Sequence, residues 1–559
     1  MKKITILVLS VIFVILSVSC TGETTTMPSE TVDSNKVDLN ETDSVTTADT
    51  TSDTVTEETT EAQSPAAEPA EIFSLTVPKE NNRNMYETLT GKITDCEIII
   101  EIIAPTDTYS LKNAHVSIEH SGDLYYPVPG SETVDLTSPD CVFTVKNVDG
   151  KETRYKVVLK YGENTIPVVC IDTKDGKDIV TKEYYVDATI SIDTAGVDGW
   201  YLSEGFEDLE PTSMLIKGRG NSTWNWEKKP YKFKFDSKVS ILGLEKSKKW
   251  VLLANYSDYS LMRNYITMES AKVLSNQLSP FSQYPVNLFV NGEYRGVYSI
   301  GEDHNVGTGR IELSDNNGLP DTSFLLEIGG YDEDEDILDK TVLYTSLVRW
   351  CSIESPEDDE ITQEQADFII DYINRTDAAV VALSNYEDYI DVDALIDWFI
   401  ANELFYNLES CFNRSCFMTK EPGEKLKMGP LWDYDLAMGN LYNDFGRYDI
   451  WACLAQEYGY IYDNWMCYLM DDSTFRAKLR TRWDEVKDEL LDTAIGLIDR
   501  MEETLSSSAE YNFTVWNILG TRVVAPQPKS IVNLKTYEDN VKYIRDFVTN
   551  RWNWMDNNI

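Results

Sequence analysis

Histidine is scarce in this chain: three residues, His115, His120 and His304, among 559 positions. That nearly excludes zinc sites built on imidazole and leaves very few ways to assemble a Ser-His-Asp hydrolase. Basic residues are also in short supply, with 49 Lys and Arg against 95 Asp and Glu and a formal net charge of −46. Binding a nucleic-acid backbone depends on cationic side chains displacing counterions, so no nucleic-acid partner is expected. None of the nine cysteines stands in a Cys-x-x-Cys pair, and only Cys411 and Cys416 lie close in sequence. This spacing excludes a zinc knuckle and a disulfide framework. Most of the cysteines read as small buried hydrophobes, with one or two disulfides compatible with an exported protein. Apolar residues at 42% and aromatics at 11% suffice for substantial cores, and the length calls for several segments. Chemistry on such a chain rests on carboxylates and lysines.

No apolar run is long enough for an ordinary membrane span. The uncharged stretch Ile4–Val18 after Met1-Lys2-Lys3 has instead the proportions of an export signal. It ends Leu16-Ser17-Val18-Ser19-Cys20, similar to a bacterial lipoprotein cleavage box apart from Ser17, and polar sequence begins directly after Cys20. Residues 1–20 are therefore read as a signal peptide. The expected location is the outer face of a bacterial membrane, through a lipid anchor at Cys20, or the extracellular space. Residues 21–70 are Thr, Ser, Glu and Asp with almost no large apolar side chain, a composition that cannot offset chain entropy by burial. A disordered acidic tether is expected, extended by its own repulsion.

From 71 to 195 the short runs Cys96–Ile103, Asp140–Val148, Arg154–Tyr161, Asn164–Cys170 and Ile179–Tyr185, broken by Gly, Asn and Asp, predict an all-β immunoglobulin-like sandwich. Tyr161–Val168 resembles the late loop and strand of bacterial immunoglobulin-like add-on domains. A spacer or binding role is expected there. From 196 to 559 strands and helices mix. Met214–Ile216 and Tyr231–Phe235 read as strands, Ser260–Ser275 as a helix, and Val286–Val290 and Tyr294–Ile300 as a hairpin turning at Asn291-Gly292. Helices follow at Thr362–Asn374, Asp391–Leu408, Thr474–Glu503 and Ser530–Met555, giving an α+β domain. Asp332–Asp336 lacks the sixth-position Gly and spaced ligands of an EF-hand and reads as a solvated loop.

Three segments concentrate polar residues. In the first, Lys217-Gly218-Arg219-Gly220-Asn221-Ser222-Thr223-Trp224 precedes Lys228-Lys229-Pro230-Tyr231-Lys232-Phe233-Lys234-Phe235. Gly218 and Gly220 allow close backbone approach or positive φ, and Lys232 and Lys234 share the strand face opposite the aromatics. In the second, Lys248 to Asp258 leads into Leu261-Met262-Arg263-Asn264 and a helix with Glu269. Ser257 or Asp258 can cap that helix, and Arg263 offers a rigid fork to a phosphate or a carboxylate. In the third, Asn407-Leu408-Glu409-Ser410-Cys411-Phe412-Asn413 is followed by a strand pair and by Leu431-Trp432-Asp433-Tyr434-Asp435. Carboxylate and amide oxygens gathered at a hairpin suit a hard cation such as Mg²⁺, with phosphate oxygens completing its shell.

Together with Gly292-Glu293-Tyr294-Arg295-Gly296-Val297-Tyr298 and Glu302, these motifs in this order resemble the CotH family of spore-coat protein kinases over residues 196–559. The resemblance implies an atypical protein-kinase-like fold that binds ATP with Mg²⁺ or Mn²⁺ and phosphorylates Ser or Thr of a protein at the cell or spore surface. Carried across, Glu409 stands where the family usually has a catalytic Asp, and Asn413 matches a metal-binding Asn. Asp433, with Asp435 as second candidate, matches the metal-binding Asp. Lys232 or Lys234 is the implied phosphate-binding lysine, with Glu269 or Glu302 as its partner. Arg219, Asn221 and Arg263 are phosphate-binding or fold-supporting. Glu409 keeps the charge but extends the carboxylate by one methylene, which implies reduced rather than absent transfer, since a misplacement of about 1 Å can cost a hundredfold. Two other readings accompany this one: a non-enzymatic surface scaffold binding carbohydrate or protein, and transfer of AMP in place of phosphate.

Overall fold

Alternating small runs of β-branched and apolar residues build three sheets, and the site lies where two of them meet. The computed structural model describes residues 67–163, 165–274, 281–329, 342–441, 447–455, 463–524 and 527–559. The signal peptide, Cys20, nearly all of the tether and Asp332–Asp336 lie outside these residues. Ala66–Ile559 forms one unit. Among the described residues, no helix is long and apolar enough to cross a membrane.

The first sheet joins β1 (Ile72–Val77), β2 (Leu89–Ile93), β3 (Glu97–Ile102), β4 (Ser117–His120), β5 (Asp123–Tyr125), β6 (Val142–Lys146) and β7 (Glu152–Tyr161). Its order is β4-β1-β2-β3-β7-β6-β5, with β3 and β7 parallel. The strand pairing therefore runs through one seven-membered order, where separate sandwich sheets were expected.

The next seven strands close a barrel in the order β10-β11-β12-β14-β13-β8-β9. They are β8 (Val168–Thr173), β9 (Val186–Asp193), β10 (Leu209–Gly218), β11 (Tyr231–Val239), β12 (Ser247–Leu253), β13 (Gln283–Val290) and β14 (Glu293–Glu302). Phe233, Trp250, Leu252, Val286 and Ile300 fill its interior. The division expected at 195 falls between β9 and β10, two adjacent barrel strands. The run Ile179–Tyr185, read as a strand, is irregular; the strand is Val186–Asp193 directly after it, whose alternate residues Ala188, Ile190 and Ile192 are buried. At Asn291-Gly292 both residues have positive φ, 54° and 85°, which suits the tight hairpin expected there.

The third sheet, β16-β17-β15-β18-β19, comprises β15 (Phe324–Ile328), β16 (Val342–Tyr344), β17 (Trp350–Ser355), β18 (Cys416–Lys420) and β19 (Lys427–Met428). Helices surround it. Gln363–Val381 starts with the capping box Thr362–Gln365, and Val392–Phe405 with the Asp391 side chain accepting from Ala394 N–H. The long helix Ser473–Val515 lies against β14 and against Tyr537–Asn558. The single helix expected over 530–555 is broken into Lys529–Val532 and Tyr537–Asn558, the second starting at its own cap, Thr536. Val251, Phe281, Leu325, Phe417 and Trp432 pack between barrel and third sheet.

Candidate functional site

The glycine turn after β10 is shaped by its own side chains. A Cβ on Gly218 would lie 2.2 Å from the Trp224 ring, so this glycine admits the indole against the backbone. Gly220 has φ +82°, a conformation glycine adopts without strain. Lys228 is buried and donates to the Val297 carbonyl at 2.6 Å and to Asn512 Oδ1 at 2.9 Å; Lys229 donates to the Trp224 carbonyl at 2.7 Å. These two lysines hold the turn. Asn221 sits exposed at its tip.

On β11, Tyr231, Phe233 and Phe235 face the barrel interior, leaving Lys232 and Lys234 on the outer face as expected. Register decides which acid meets which lysine. Lys232 is opposite Val251, and Val251 is opposite Gly301, so Gly301 and, two residues on, Asp303 share the Lys232 face. Lys232 Nζ lies 2.8 Å from the buried Asp303 carboxylate. Burial raises the Asp303 pKa, but His304, Lys232 and Arg219 together outweigh it and hold that carboxyl below the usual range. The expected partners are engaged elsewhere. Glu302, on the opposite face, accepts from Ser282 N–H at 2.9 Å and lies 3.4 Å from Arg310; Glu269 pairs with Lys272 at 2.7 Å. Lys234 lies over the Tyr185 ring, 4.4 Å from its centroid.

Arg263 is fully buried and forms an ion pair with Asp258, while its Nε donates to the Ala437 carbonyl at 3.0 Å. Asp258 also accepts from the Arg263 N–H at 2.8 Å, opening the helix Arg263–Ala271. Arg263 thus braces that helix against the loop after Asp435. Ser257 serves the cleft instead, donating to Asp435 Oδ2 at 2.6 Å.

The Asn407–Asn413 loop follows the helix Val392–Phe405. Asn407 Oδ1 accepts from Glu409 N–H at 3.1 Å, and its Nδ2 donates to the Asp433 carbonyl at 2.9 Å, so one amide joins the two acidic segments. Asp433 has φ +64°, a left-handed conformation uncommon for a residue with a Cβ, and such strain concentrates at functional sites. Its Oδ2 accepts from Ser415 Oγ at 3.3 Å. Burial, then the Asp433 charge, pushes the Glu409 carboxyl up to about 7, with Arg414 opposing. Burial and the same Asp433 charge push Asp435 well above its usual range, and Ser257 opposes.

A cleft lined by Arg219, Thr223, Asn255, Asn264, Asp433 and Asp435 collects these pieces. Arg219 lies over Trp432, 5.7 Å from its centroid, and the His304 ring is 4.8 Å from that same indole, which links the Lys232–Asp303 pair to Asp433. Lys232, Glu409, Asn413 and Asn221 are outside the immediate lining. Crowded carboxylates in an all-oxygen donor set fit a hard divalent cation. Among the described residues, though, the oxygens of Glu409, Asp433 and Asp435 are not all within 4.8 Å of one another. The set fits Mg²⁺ held by one or two carboxylates with phosphate and water completing the shell. Sequence reasoning missed Asp303, His304, Ser257, Asn264 and Asn407. Asp303 was legible only through strand register, because Glu302 beside it carries the same charge.

The family model described as CotH kinase protein matches residues 216–555. The chain belongs to the CotH family. That match begins inside β10, so β8 and β9 of this CotH chain's barrel precede it. No curated protein matches the chain. Among solved structures, a chain from Bacteroides thetaiotaomicron provisionally described as a glycoside hydrolase is 14% identical, covering 48% of this chain and 72% of its own, with a TM-score of 0.14. At that score the likeness carries no structural argument.

Proposed function

We propose that this CotH-family protein is a surface-anchored protein kinase with a kinase-like two-layer architecture. It would transfer the γ-phosphoryl group of ATP, with Mg²⁺ or Mn²⁺, to Ser or Thr of a cell-surface or spore-coat protein. The observation that carries the reading is the meeting of Arg219 with Asp433 and Asp435 in one cleft, next to a lysine held by a buried aspartate. Phosphoryl transfer depends mainly on positioning and charge stabilisation, and this arrangement supplies both. Lys232, oriented by Asp303, and Arg219 bind phosphate oxygens. Asp433 and Asp435 hold the cation, which when bound neutralises charge on the phosphates. Glu409, with its carboxyl near 7, is part-ionised at neutral pH and accepts the hydroxyl proton as the Ser or Thr oxygen takes the phosphoryl group and ADP leaves. Residues 1–20 and Cys20 export and anchor the chain, and the tether holds it off the membrane.

The test uses the whole mature chain with Mg²⁺ or Mn²⁺ and γ-labelled ATP, together with Ser-rich peptides and thermal shift. Label transfer and a nucleotide-dependent rise in Tm, both lost in Asp433→Asn, are expected; Asn tolerates the left-handed backbone at that position. Absence of both from the wild-type chain overturns the reading. An adduct of AMP mass identifies the nucleotidyl alternative.

A further inference from the structure

Two thiols, one of them in the Asn407–Asn413 loop, are in contact. Cys411, two residues after Glu409, and Cys453, in the short turn Ala452–Leu454, have Sγ atoms 2.8 Å apart across 42 positions of sequence. Both are fully buried. Unbonded carbon atoms settle at about 3.5–4.0 Å, and sulfur is larger, so the contact is closer than packing alone produces. Asn402 Nδ2 donates to Cys411 Sγ at 3.2 Å, and that thiol reaches the Asn407 carbonyl at 3.2 Å, so the sulfur is held from both sides.

Glu403 lies beside the pair, and among the described residues these three are the one group with metal-ligand atoms within 4.8 Å of one another. A cation is poorly served there. The Glu403 carboxylate already accepts from Ala452 N–H at 2.7 Å and Cys453 N–H at 2.8 Å and pairs with buried Arg551 at 2.5 Å. The guanidinium already neutralises it and repels a further positive ion. A neutral S–S bridge adds no charge to this interior.

We propose that Cys411 and Cys453 are joined by a disulfide in the exported protein, fixing the Asn407–Asn413 loop to the 451–455 turn. Two S–H bonds give one S–S bond; the two protons and two electrons pass to a disulfide oxidoreductase of the exporting compartment, whose own disulfide becomes a dithiol. Burial pushes both thiols up, Cys453 well above its usual value, so the folded pair holds little thiolate. The bond therefore forms during folding, while the segments still meet the oxidant, and is shielded afterwards. The inference rests on the export reading and is independent of phosphoryl transfer.

The whole mature chain, secreted into an oxidising compartment, is denatured without reductant, alkylated, digested and analysed by mass. A cross-linked peptide pair containing Cys411 and Cys453, lighter by two hydrogens and absent after reduction, is expected, with Cys416 and Cys467 alkylated. Reductant added during refolding should lower Tm in the wild-type chain and leave the Cys411→Ser/Cys453→Ser variant unchanged. If that variant does not fold, the peptide map alone decides. Full alkylation of both cysteines, pairing of either with Cys416 or Cys467, or stoichiometric zinc by elemental analysis overturns the proposal. An intact bridge in a chain without kinase activity would sink the kinase reading and leave this one standing.

Discussion

At Lys232 one side chain has two tasks, and they can be separated. It neutralises Asp303, which is almost fully buried, and in the proposed mechanism it also binds phosphate oxygens. Removing one partner of a buried pair leaves an uncompensated charge, at about 3–5 kcal/mol. Lys232→Met should therefore lower stability by roughly that amount, reduced by the nearby Arg219, and abolish transfer. In the double variant Lys232→Met/Asp303→Asn, denaturant titration should show most of the stability restored while phosphoryl transfer stays absent. Recovery of activity would remove Lys232 from the mechanism. Glu327, unmarked in the sequence, gives a pH prediction. Burial, then Glu354 and Asp433, pushes its carboxyl up to about 8, with Arg219 opposing. Its folded pKa exceeds the unfolded value, so its stabilisation is complete below about 4.5 and is lost as pH rises through about 8. Tm measured from pH 5 to 9 should fall more steeply in the wild-type chain than in Glu327→Gln. Parallel curves would refute the assignment.

At the scale of elements, the turn between β10 and β11 is where local sequence and site geometry meet. Its glycines read as places where a ligand could approach the backbone, but at Gly218 the approach is made by Trp224. Gly218→Ala should push the half-buried indole outward and cost about 1–3 kcal/mol, as overpacking does. Because Arg219 is the next residue, ATP affinity by calorimetry should weaken along with Tm. An unchanged Kd would show that the turn tolerates the shift without moving Arg219. The elements best legible in sequence are those with strong local signals: the Thr362 capping box, the Asp391 cap, the Asn291-Gly292 turn and the aromatic alternation on β11. The helix expected from 260 starts at Arg263 because Asp258 binds the Arg263 N–H, and three residues of irregular chain lead into it.

For the whole molecule, the barrel is the unit that matters, and it draws β8 and β9 from the segment first read as a separate module. β8 pairs in parallel with β13, and β9 pairs with β10, so both close the ring. The first sheet is joined to it as well. Asp193, at the end of β9, accepts from Thr108 N–H and Oγ1, both at 2.6 Å, and Tyr86 meets Tyr294 and Tyr511 edge-on. A fragment starting at 196 leaves the β10 and β13 edges unpaired and their interior face open to water, a template for aggregation. Its soluble yield should collapse relative to a chain starting at 67, with loss of a cooperative melt by circular dichroism. A soluble, cooperatively folding 196–559 fragment would contradict this.

The sequence by itself determined the family, through motifs whose residue types and order stand in the chain, and the periodic elements, because caps, tight turns and alternation act over a few neighbouring residues. It also determined that the chemistry rests on carboxylates and lysines, since little histidine is there. Only the tertiary structure decided the partners. Asp303 rather than Glu302 meets Lys232 because strand register, a property of three paired strands, sets which of two adjacent acids faces the cleft. Arg263, which the sequence left open between phosphate and brace, is enclosed by Asp258 and the Ala437 carbonyl, 174 positions away. The contact of Cys411 with Cys453, and the barrel closed by strands from outside the family match, have the same origin. Each depends on packing between segments distant in sequence, and no local propensity encodes that.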